Sequence, residues 1–407
     1  MGQAGGITAV INASLVGVIR EALRHPEAIT GVYGALGGLD GLLAEDMVDL
    51  GREKPETLGA VLRTPAAALG SCRCRLSEAD ADRALRVMRA HNIRYFVYIG
   101  GNDSADTAHR LARFAGGVGY EMRVMTVPKT IDNDLPETDH CTGYGSIARF
   151  VAASTADAGK DSESMASAYQ VKIIEVMGRN SGWVAAASAL AKRRPHDAPH
   201  LIYVPERPLA AEGFLRDVRR AQKEHGFVVV VAAETVVDET GKPWGTIPAS
   251  DQLDAFGHPR PAGAATVLSA LVERELGLQT RWERPGSFQR TATALVSPVD
   301  RREAYRAGRA AVAYAVRGET DKMVTFARDV DVGPVYHCTT GLTSLERVAS
   351  LEKHLPDDYL NAEGNFVTDA FLRYVRPLIG PPLPVHGDLE KYPVQPLVGE
   401  PRSEGGG

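Results

Sequence analysis

The run Phe227–Ala233, F-V-V-V-V-A-A, limits what this chain can fold into more than any other stretch. An apolar segment with no polar alternation reads as a strand buried on both faces, which belongs in a parallel sheet covered by helices on each side. The rest of the chain keeps to that pattern. Ile93–Ile99 (I-R-Y-F-V-Y-I) reads as a buried strand, followed by helical spacing over Ser104–Ala115. Arg123–Val127 reads as a strand, and Val171–Val176 (V-K-I-I-E-V) as another, followed by the alanine- and leucine-rich Trp183–Lys192. Leu201–Val204 leads into a helix over Leu209–Glu224. This alternation predicts an α/β fold with mainly parallel sheets flanked by helices. At 407 residues the chain is long for one core and suits two domains.

Composition narrows the function. With 44% hydrophobic and 24% charged residues, a large core can be buried. A net charge of -5 leaves no electrostatic footprint for nucleic acid. Anionic substrates must then be met by local lysine and arginine. The four cysteines, Cys72, Cys74, Cys141 and Cys338, show no C-x-x-C pair or zinc-ligand spacing and read as free thiols of a reducing cytoplasm. No apolar run has the length of a membrane span, and residues 1–6 do not read as a signal peptide. The expected location is therefore cytoplasmic, with no membrane partner. No repeat has solenoid spacing. The C-terminal stretch is rich in proline (Pro377, Pro381, Pro382, Pro384, Pro393, Pro396, Pro401) and ends in three glycines, which predicts a surface-wrapping, fraying tail.

In parallel sheets, ligands bind beyond the carboxyl ends of strands. Polar residues gather there. Gly100-Gly101-Asn102-Asp103 allows close backbone approach and then presents an acid, although Asn102, Asp103 or Ser104 would serve equally as a helix N-cap. Val127–Asp134, V-P-K-T-I-D-N-D, joins Lys129 to Asp132 and Asp134. In an extended segment the two acids share a face, one suited to act as a general base and the other to hold a hydrated metal, while Lys129 neutralises a phosphate oxygen. N-D-L-P is also good turn chemistry. Met177-Gly178-Arg179 and Glu234 follow two further strands and suit a sugar phosphate and sugar hydroxyls. Gly5-Gly6 precedes helical spacing over Thr8–Arg24 and offers backbone N–H groups to an anion, or merely a turn. Only four residues precede Gly5, where a buried strand needs roughly five or six; the first strand is expected to be short, or the true start to lie upstream of Met1. Arg73 ends a short loop and suits phosphate or solvent. Arg281, Arg284 and Arg290 surround Pro285-Gly286-Ser287-Phe288-Gln289, suiting a second phosphate or a solvated basic loop. No G-x-S-x-G elbow and no G-x-x-x-x-G-K-[ST] loop occurs.

From Gly5 to about Arg290 these runs, in this order, resemble the phosphofructokinase family, and most closely its pyrophosphate-dependent branch. T-I-D-N-D and M-G-R are specific in combination. The resemblance implies two Rossmann-like domains. Residues 1–145 plus about 291–345 would bind the phosphoryl donor, 146–290 plus part of the C-terminal region the sugar phosphate, and 376–407 would form the tail. It implies Mg²⁺-dependent, reversible transfer of phosphate from pyrophosphate to the C1 oxygen of fructose 6-phosphate, in a homodimer or possibly a tetramer. Gly5, Arg73 and Gly101 would bind pyrophosphate. Asp132 would be the base, with Lys129 and Asp103 the other catalytic residues. Thr130, Ile131, Met177, Gly178, Arg179, Glu234, Arg281, Ser287, Phe288, Gln289 and Arg290 would hold the sugar phosphate beside Asp132. Asn102, Asp103 and Asp134 would hold the metal.

ATP-using members of the family have glycine where this chain has Asp103 and Lys129. An aspartate at the first position would exclude the α-phosphate of ATP. Asn102 stands where those members have a metal-binding aspartate. Gln170 stands where many have an arginine that reaches the neighbouring subunit's 6-phosphate, and Ser287 where they have histidine. Arg281, Arg284 and Lys172 are candidates to compensate. The alternatives are an ATP-dependent enzyme, a sedoheptulose 7-phosphate kinase, or a catalytically silent, phosphate-sensing subunit.

Overall fold

The computed structural model describes residues 1–74, 76–245, 263–329, 336–395 and 397. Pro396, Pro401 and the terminal glycines of the tail lie outside these residues, as do 330–335 within the 291–345 stretch.

Two mainly parallel sheets organise the chain. The first runs in the order Gly2–Gln3, Tyr95–Gly100, Arg123–Thr130, Lys322–Asp329, His337–Ser344, with Thr142–Gly143 paired beside the end of Arg123–Thr130. Only the last pair of the main path is antiparallel. The second sheet runs Thr280–Glu283, Val171–Val176, Val228–Ala233, Leu201–Tyr203, all parallel. Every residue of Val228–Ala233 is fully buried, as its unbroken apolar sequence requires. The opening strand is two residues long, extended by a bond from the Ala4 N–H to the Ile99 carbonyl at 2.9 Å.

Two helices of the first layer, Ile11–Ala22 and Pro298–Val316, cross where each offers a glycine. A Cβ on Gly17 would strike the Tyr305 carbonyl, and one on Gly308 the Ser14 carbonyl, so the backbones approach as closely as glycine allows. Asp300 on the second of these helices accepts the Gly143 and Ser146 N–H groups, both at 2.9 Å. It thereby caps the helix Tyr144–Ser164, which packs into the core of the second sheet. The two halves are thus joined through a buried carboxylate just behind the acidic turn.

The structure corrects several sequence expectations. The strand expected over Arg123–Val127 continues to Thr130, because Thr142–Gly143 pairs with Lys129 and Thr130 and the Thr142 hydroxyl donates to the Pro128 carbonyl at 2.7 Å. The helix expected from Ser104 begins at Asn102, with Gly101 at the N-cap and no side-chain cap, so Asn102, Asp103 and Ser104 all lie in its first turn. The alanine- and leucine-rich Trp183–Lys192 starts as a short α-helix, Trp183–Ala187. It tightens to a 3₁₀ turn at Ser188–Ala191, where the Ser188 hydroxyl donates to the Ala185 carbonyl at 2.6 Å. In the tail, Asp388 is held by Lys160 and Arg194, while Val385, Leu389, Tyr392 and Val394 stand exposed. No helix among the described residues is long and apolar enough to cross a membrane.

Candidate active site

Three cations converge on the bare backbone of Gly5 and Gly6. Gly5 has φ +73, a conformation that favours glycine, and its N–H donates to the Cys72 carbonyl at 3.0 Å. The Lys129 ammonium, buried at the end of its strand, donates to the Gly6 carbonyl at 2.6 Å. A Cβ added at Gly6 would lie 3.4 Å from Arg290 Nη1 and 4.0 Å from Arg73 Nη2. Burial lowers the Lys129 pKa to about 8, with Asp132 and Asp134 opposing and Arg73 and Arg290 assisting. Burial and the neighbouring Arg73 also lower Arg290, whose Nε is buried with no hydrogen-bond partner. Two arginines gathered this close around a buried ammonium call for an anion between them.

The acids face this cluster from a turn, not from an extended segment. Asn133 has φ 56, so Asp132 and Asp134 do not share the face of a strand as the sequence suggested. The left-handed residue is held by its own side chain. The Asn133 amide donates to the Tyr374 hydroxyl at 2.8 Å and accepts the Cys141 N–H at 2.9 Å, and the residue is fully buried. Thr130 Oγ1 accepts the Asp132 N–H at 3.1 Å, the Ser181 hydroxyl donates to the Asp132 carbonyl at 2.9 Å, and the Lys353 N–H donates to the Asp134 carbonyl at 2.6 Å. Burial first, then Asp134 and Glu234, push Asp132 up to about 8 against the pull of Arg179 and Lys129, although its side chain keeps a face open to solvent. Burial also raises Asp134, opposed chiefly by a hydrogen bond from Thr130, and its Oδ1 is buried without a partner. Thr130 and Ile131 lie buried beneath them.

The second sheet supplies the other wall. Gly178 has φ +142, and a Cβ there would come within 2.8 Å of the Ser181 carbonyl, so the M-G-R turn accepts only glycine. Thr235 donates to the carbonyls of Gly178 and Arg179. The Glu234 N–H reaches the Val176 carbonyl at 2.9 Å, and burial, then Glu175, raises its carboxyl. Arg179 is exposed. Gln289 is buried, and its Oε1 accepts the Met177 N–H at 3.1 Å, which fastens the arginine loop to the M-G-R turn. Beside it, Ser287 is exposed and Phe288 is 73% exposed. Asp103 is exposed at the start of its helix, and a Cβ on Gly101 would lie 3.5 Å from the Lys129 carbonyl.

Arg281 stands apart. It pairs in register with Lys172 near the start of Val171–Val176, whereas Met177 and Glu234 follow the ends of their strands. Its guanidinium lies over the Tyr169 ring, 4.7 Å from the centroid, at the opposite end of the sheet from Asp132. The proposed compensating charges are engaged within the chain. Lys172 is buried against Asp161 at 2.5 Å and Glu283 at 3.3 Å, and Arg284 meets Glu175 at 2.9 Å. Gln170 Oε1 accepts the Gln279 N–H at 3.0 Å, so it pins the edge strand.

One segment of the site carried no recognisable signal in the sequence. Residues 351–355 (L-E-K-H-L) strap the two halves together. The Asn102 amide donates to the Leu351 carbonyl, which explains an amide at that position: a carboxylate would have no proton to give. Glu352 accepts from Asn180 at 3.0 Å, and Lys353 Nζ donates to the Thr138 and Asp139 carbonyls at 3.0 Å while lying over Trp183. Glu206 accepts both the Leu355 and the Gly182 N–H groups, at 2.8 and 2.9 Å.

Residues 1–315 match the family described as phosphofructokinase. A pyrophosphate–fructose 6-phosphate 1-phosphotransferase of Methylococcus capsulatus is 39% identical over 383 residues, spanning 93% of this chain and 90% of that one. A protein of the same description from Xanthomonas campestris is 41% identical over the same shares. The crystal structure of a pyrophosphate-dependent phosphofructokinase from Marinobacter aquaeolei superposes with a TM-score of 0.84 at 37% identity, covering 97% of each chain.

The geometry makes Asn133 testable. Asn133→Ala places a Cβ residue in the left-handed region without local bonding, at about 1–2 kcal/mol, and orphans a buried N–H, at about 1–3 kcal/mol. Urea unfolding should show that loss, with Asn133→Gly recovering the backbone share only. Equal stability of all three proteins would mean that the turn does not depend on this side chain.

Proposed function

The chain belongs to the phosphofructokinase family, and on that footing we propose that it transfers phosphate reversibly from pyrophosphate to the C1 hydroxyl of fructose 6-phosphate. The observation that carries the reading is the convergence of Lys129, Arg73 and Arg290 on Gly5-Gly6, opposite Asp132. Such a pocket suits a compact polyanion, and an ionised Asp132 at its edge suits a hydroxyl that must lose its proton. Asp132 takes the C1 proton as the oxygen attacks phosphorus, the bond to the bridging oxygen breaks, and orthophosphate leaves. Phosphoryl transfer asks mainly for positioning and charge neutralisation. Lys129, Arg73 and Arg290 meet the charge of the donor. Thr130 and Ile131 line the acceptor side, and Arg179 and Glu234 hold the sugar with Met177, Gly178 and Gln289. Ser287 and Phe288 rim it.

A divalent cation fits the acid turn. Asp134 Oδ1 is a buried carboxylate oxygen with no hydrogen-bond partner, and hard cations take such oxygens. Magnesium, when bound, would neutralise pyrophosphate oxygens; Asp134, Asp103 and the free oxygen of Asn102 would hold it. Arg281, exposed on its edge strand, would serve the 6-phosphate in the site of a second copy, which makes the working form a homodimer at least.

Donor choice rests on Lys129, which meets pyrophosphate charge, and on Asp103. Asp103 stands exposed in the first turn of the helix that follows Gly101, where its charge would meet the α-phosphate that ATP would bring. Asp103→Gly should therefore admit ATP, seen by calorimetry, and weaken pyrophosphate use; a variant that still binds no ATP would refute the exclusion. Asp132→Ser should lower kcat on the order of 10²-fold or more with the sugar KM largely kept, and near-normal turnover in the folded variant would remove Asp132 as the base.

The pH profile tests the same charges. Asp132 must lose its proton, so kcat/KM rises as pH climbs through its pKa near 8. Lys129 must keep its proton, so activity falls as pH climbs through its own pKa, also near 8, and the two limbs overlap in a narrow optimum. The two limbs belong to the coupled site. Glu234→Gln removes a negative neighbour that raises Asp132, and should move the rising limb to lower pH. A limb that stays in place would assign it to another group.

A further inference from the structure

Arg73 is flanked by two cysteines whose sulfurs face each other. Cys74 Sγ lies 2.8 Å from Cys72 Sγ, with Cys72 buried and Cys74 half-buried. Consecutive side chains of an extended segment point to opposite faces, and residues two apart share one; here that places both thiols on one side of Arg73. The Leu39 N–H donates to Cys72 Sγ at 3.3 Å, and the Tyr98 hydroxyl lies 3.7 Å from it. Burial opposes ionisation of Cys72, but the Cys74 thiol, the Tyr98 hydroxyl and the N–H groups of Leu39 and Asp40 outweigh it and hold that thiol below its ordinary range. Burial and the adjoining Cys72 raise Cys74. Of the pair, Cys72 is the readier to ionise to the nucleophilic thiolate, and Cys74 is the thiol placed to resolve it.

The same segment is wired to the donor pocket. The Cys72 carbonyl accepts the Gly5 N–H at 3.0 Å, Ala4 bridges Cys72, and the Ser71 hydroxyl donates to the Gly5 carbonyl at 2.7 Å. Arg73, between the two cysteines in sequence, points its guanidinium to Gly6. A disulfide has its sulfurs about 2.05 Å apart, so closure asks the two side chains for a movement of under ~1 Å. It also closes a small ring through the backbone of Arg73.

We propose that Cys72 and Cys74 form a reversible disulfide site, oxidised by hydroperoxides, which acts on pyrophosphate binding through Arg73 and Gly5. The Cys72 thiolate attacks a peroxide oxygen, the O–O bond breaks, and with one proton the first water or alcohol leaves. Cys74 sulfur then attacks the sulfenic sulfur of Cys72, the S–O bond breaks, and water departs with the Cys74 proton. Two thiols and one hydroperoxide thus give one disulfide, one alcohol (or water) and one water; a dithiol reverses it by exchange. Intracellular disulfides are rare and usually transient and redox-sensing, which suits a pair placed at a binding residue better than one placed in a core.

The proposal rests on the reading of Arg73 as a pyrophosphate ligand, and the test keeps the two apart. The full chain is treated with hydrogen peroxide, alkylated and digested, and the peptide spanning 72–74 is weighed. In parallel, KM is measured for pyrophosphate and for fructose 6-phosphate. The expected result is an intrapeptide disulfide and at least a tenfold rise in the pyrophosphate KM, with the sugar KM little changed, reversed by dithiothreitol and absent in Cys74→Ser. Alkylation of both thiols after peroxide, or a disulfide that leaves the pyrophosphate KM unchanged, would overturn it. Arg73→Ala stands as the independent control: an unchanged pyrophosphate KM there would remove the underlying reading, and the coupling with it, whatever the thiols do.

Discussion

A single buried amide sets the geometry on which the site depends. Asn133 turns the chain through the left-handed region just where the first sheet ends, and its side chain bonds to Cys141 on one side and Tyr374 on the other. Cys141 leads into the helix that Asp300 caps, and Tyr374 belongs to the C-terminal helix of the second core. The turn is therefore fixed from both halves of the molecule. A straight continuation of the strand would have carried Asp132 and Asp134 onto one face; the turn at Asn133 instead sets both beside Lys129. The neighbouring bonds from Ser181 to Asp132 and from Lys353 to Asp134 hold the two acidic backbones in place.

Charge is the second constraint. The cleft holds three cations on one side and three acids, Asp132, Asp134 and Glu234, on the other, all with burial as the largest influence on those that titrate abnormally. Neither set is comfortable alone. Lys129 is driven towards neutrality and Asp132 towards protonation, which is the condition in which a small anionic donor and a proton acceptor gain most from meeting. Substrate charge relieves the repulsion among the cations. On the proposed mechanism, the proton that Asp132 takes from the sugar hydroxyl relieves the repulsion among the acids only as transfer proceeds.

Much of this was legible in the sequence, and what escaped has a physical reason. The continuous apolar strand Val228–Ala233 and the strand ends carrying Lys129, Met177–Arg179 and Glu234 could be read locally, because periodicity and strand termini are local properties. The sense of the acidic turn could not: N-D-L-P advertised a turn and the pair of acids advertised a strand, and the choice was made by Tyr374, far along the chain. Gln289 read as a sugar contact, and nothing in the sequence signalled that its side chain also fastens Met177. Arg281 read as a neighbour of Arg290, yet the register of its strand carries it to the far end of the sheet. The strap at 351–355 has no pattern of its own, and only its partners give it meaning. The amide of Asn102 beside Asp103 has its reason in a residue far along the chain, the Leu351 carbonyl to which it donates.

The most direct measurement is a coupled assay of the purified chain with fructose 6-phosphate and Mg²⁺, comparing pyrophosphate and ATP at equal concentration while orthophosphate is followed by ³¹P NMR. The account predicts fructose 1,6-bisphosphate with stoichiometric orthophosphate from pyrophosphate, reversal when both products are supplied, and no turnover with ATP. Turnover with ATP alone, or with neither donor, would contradict it.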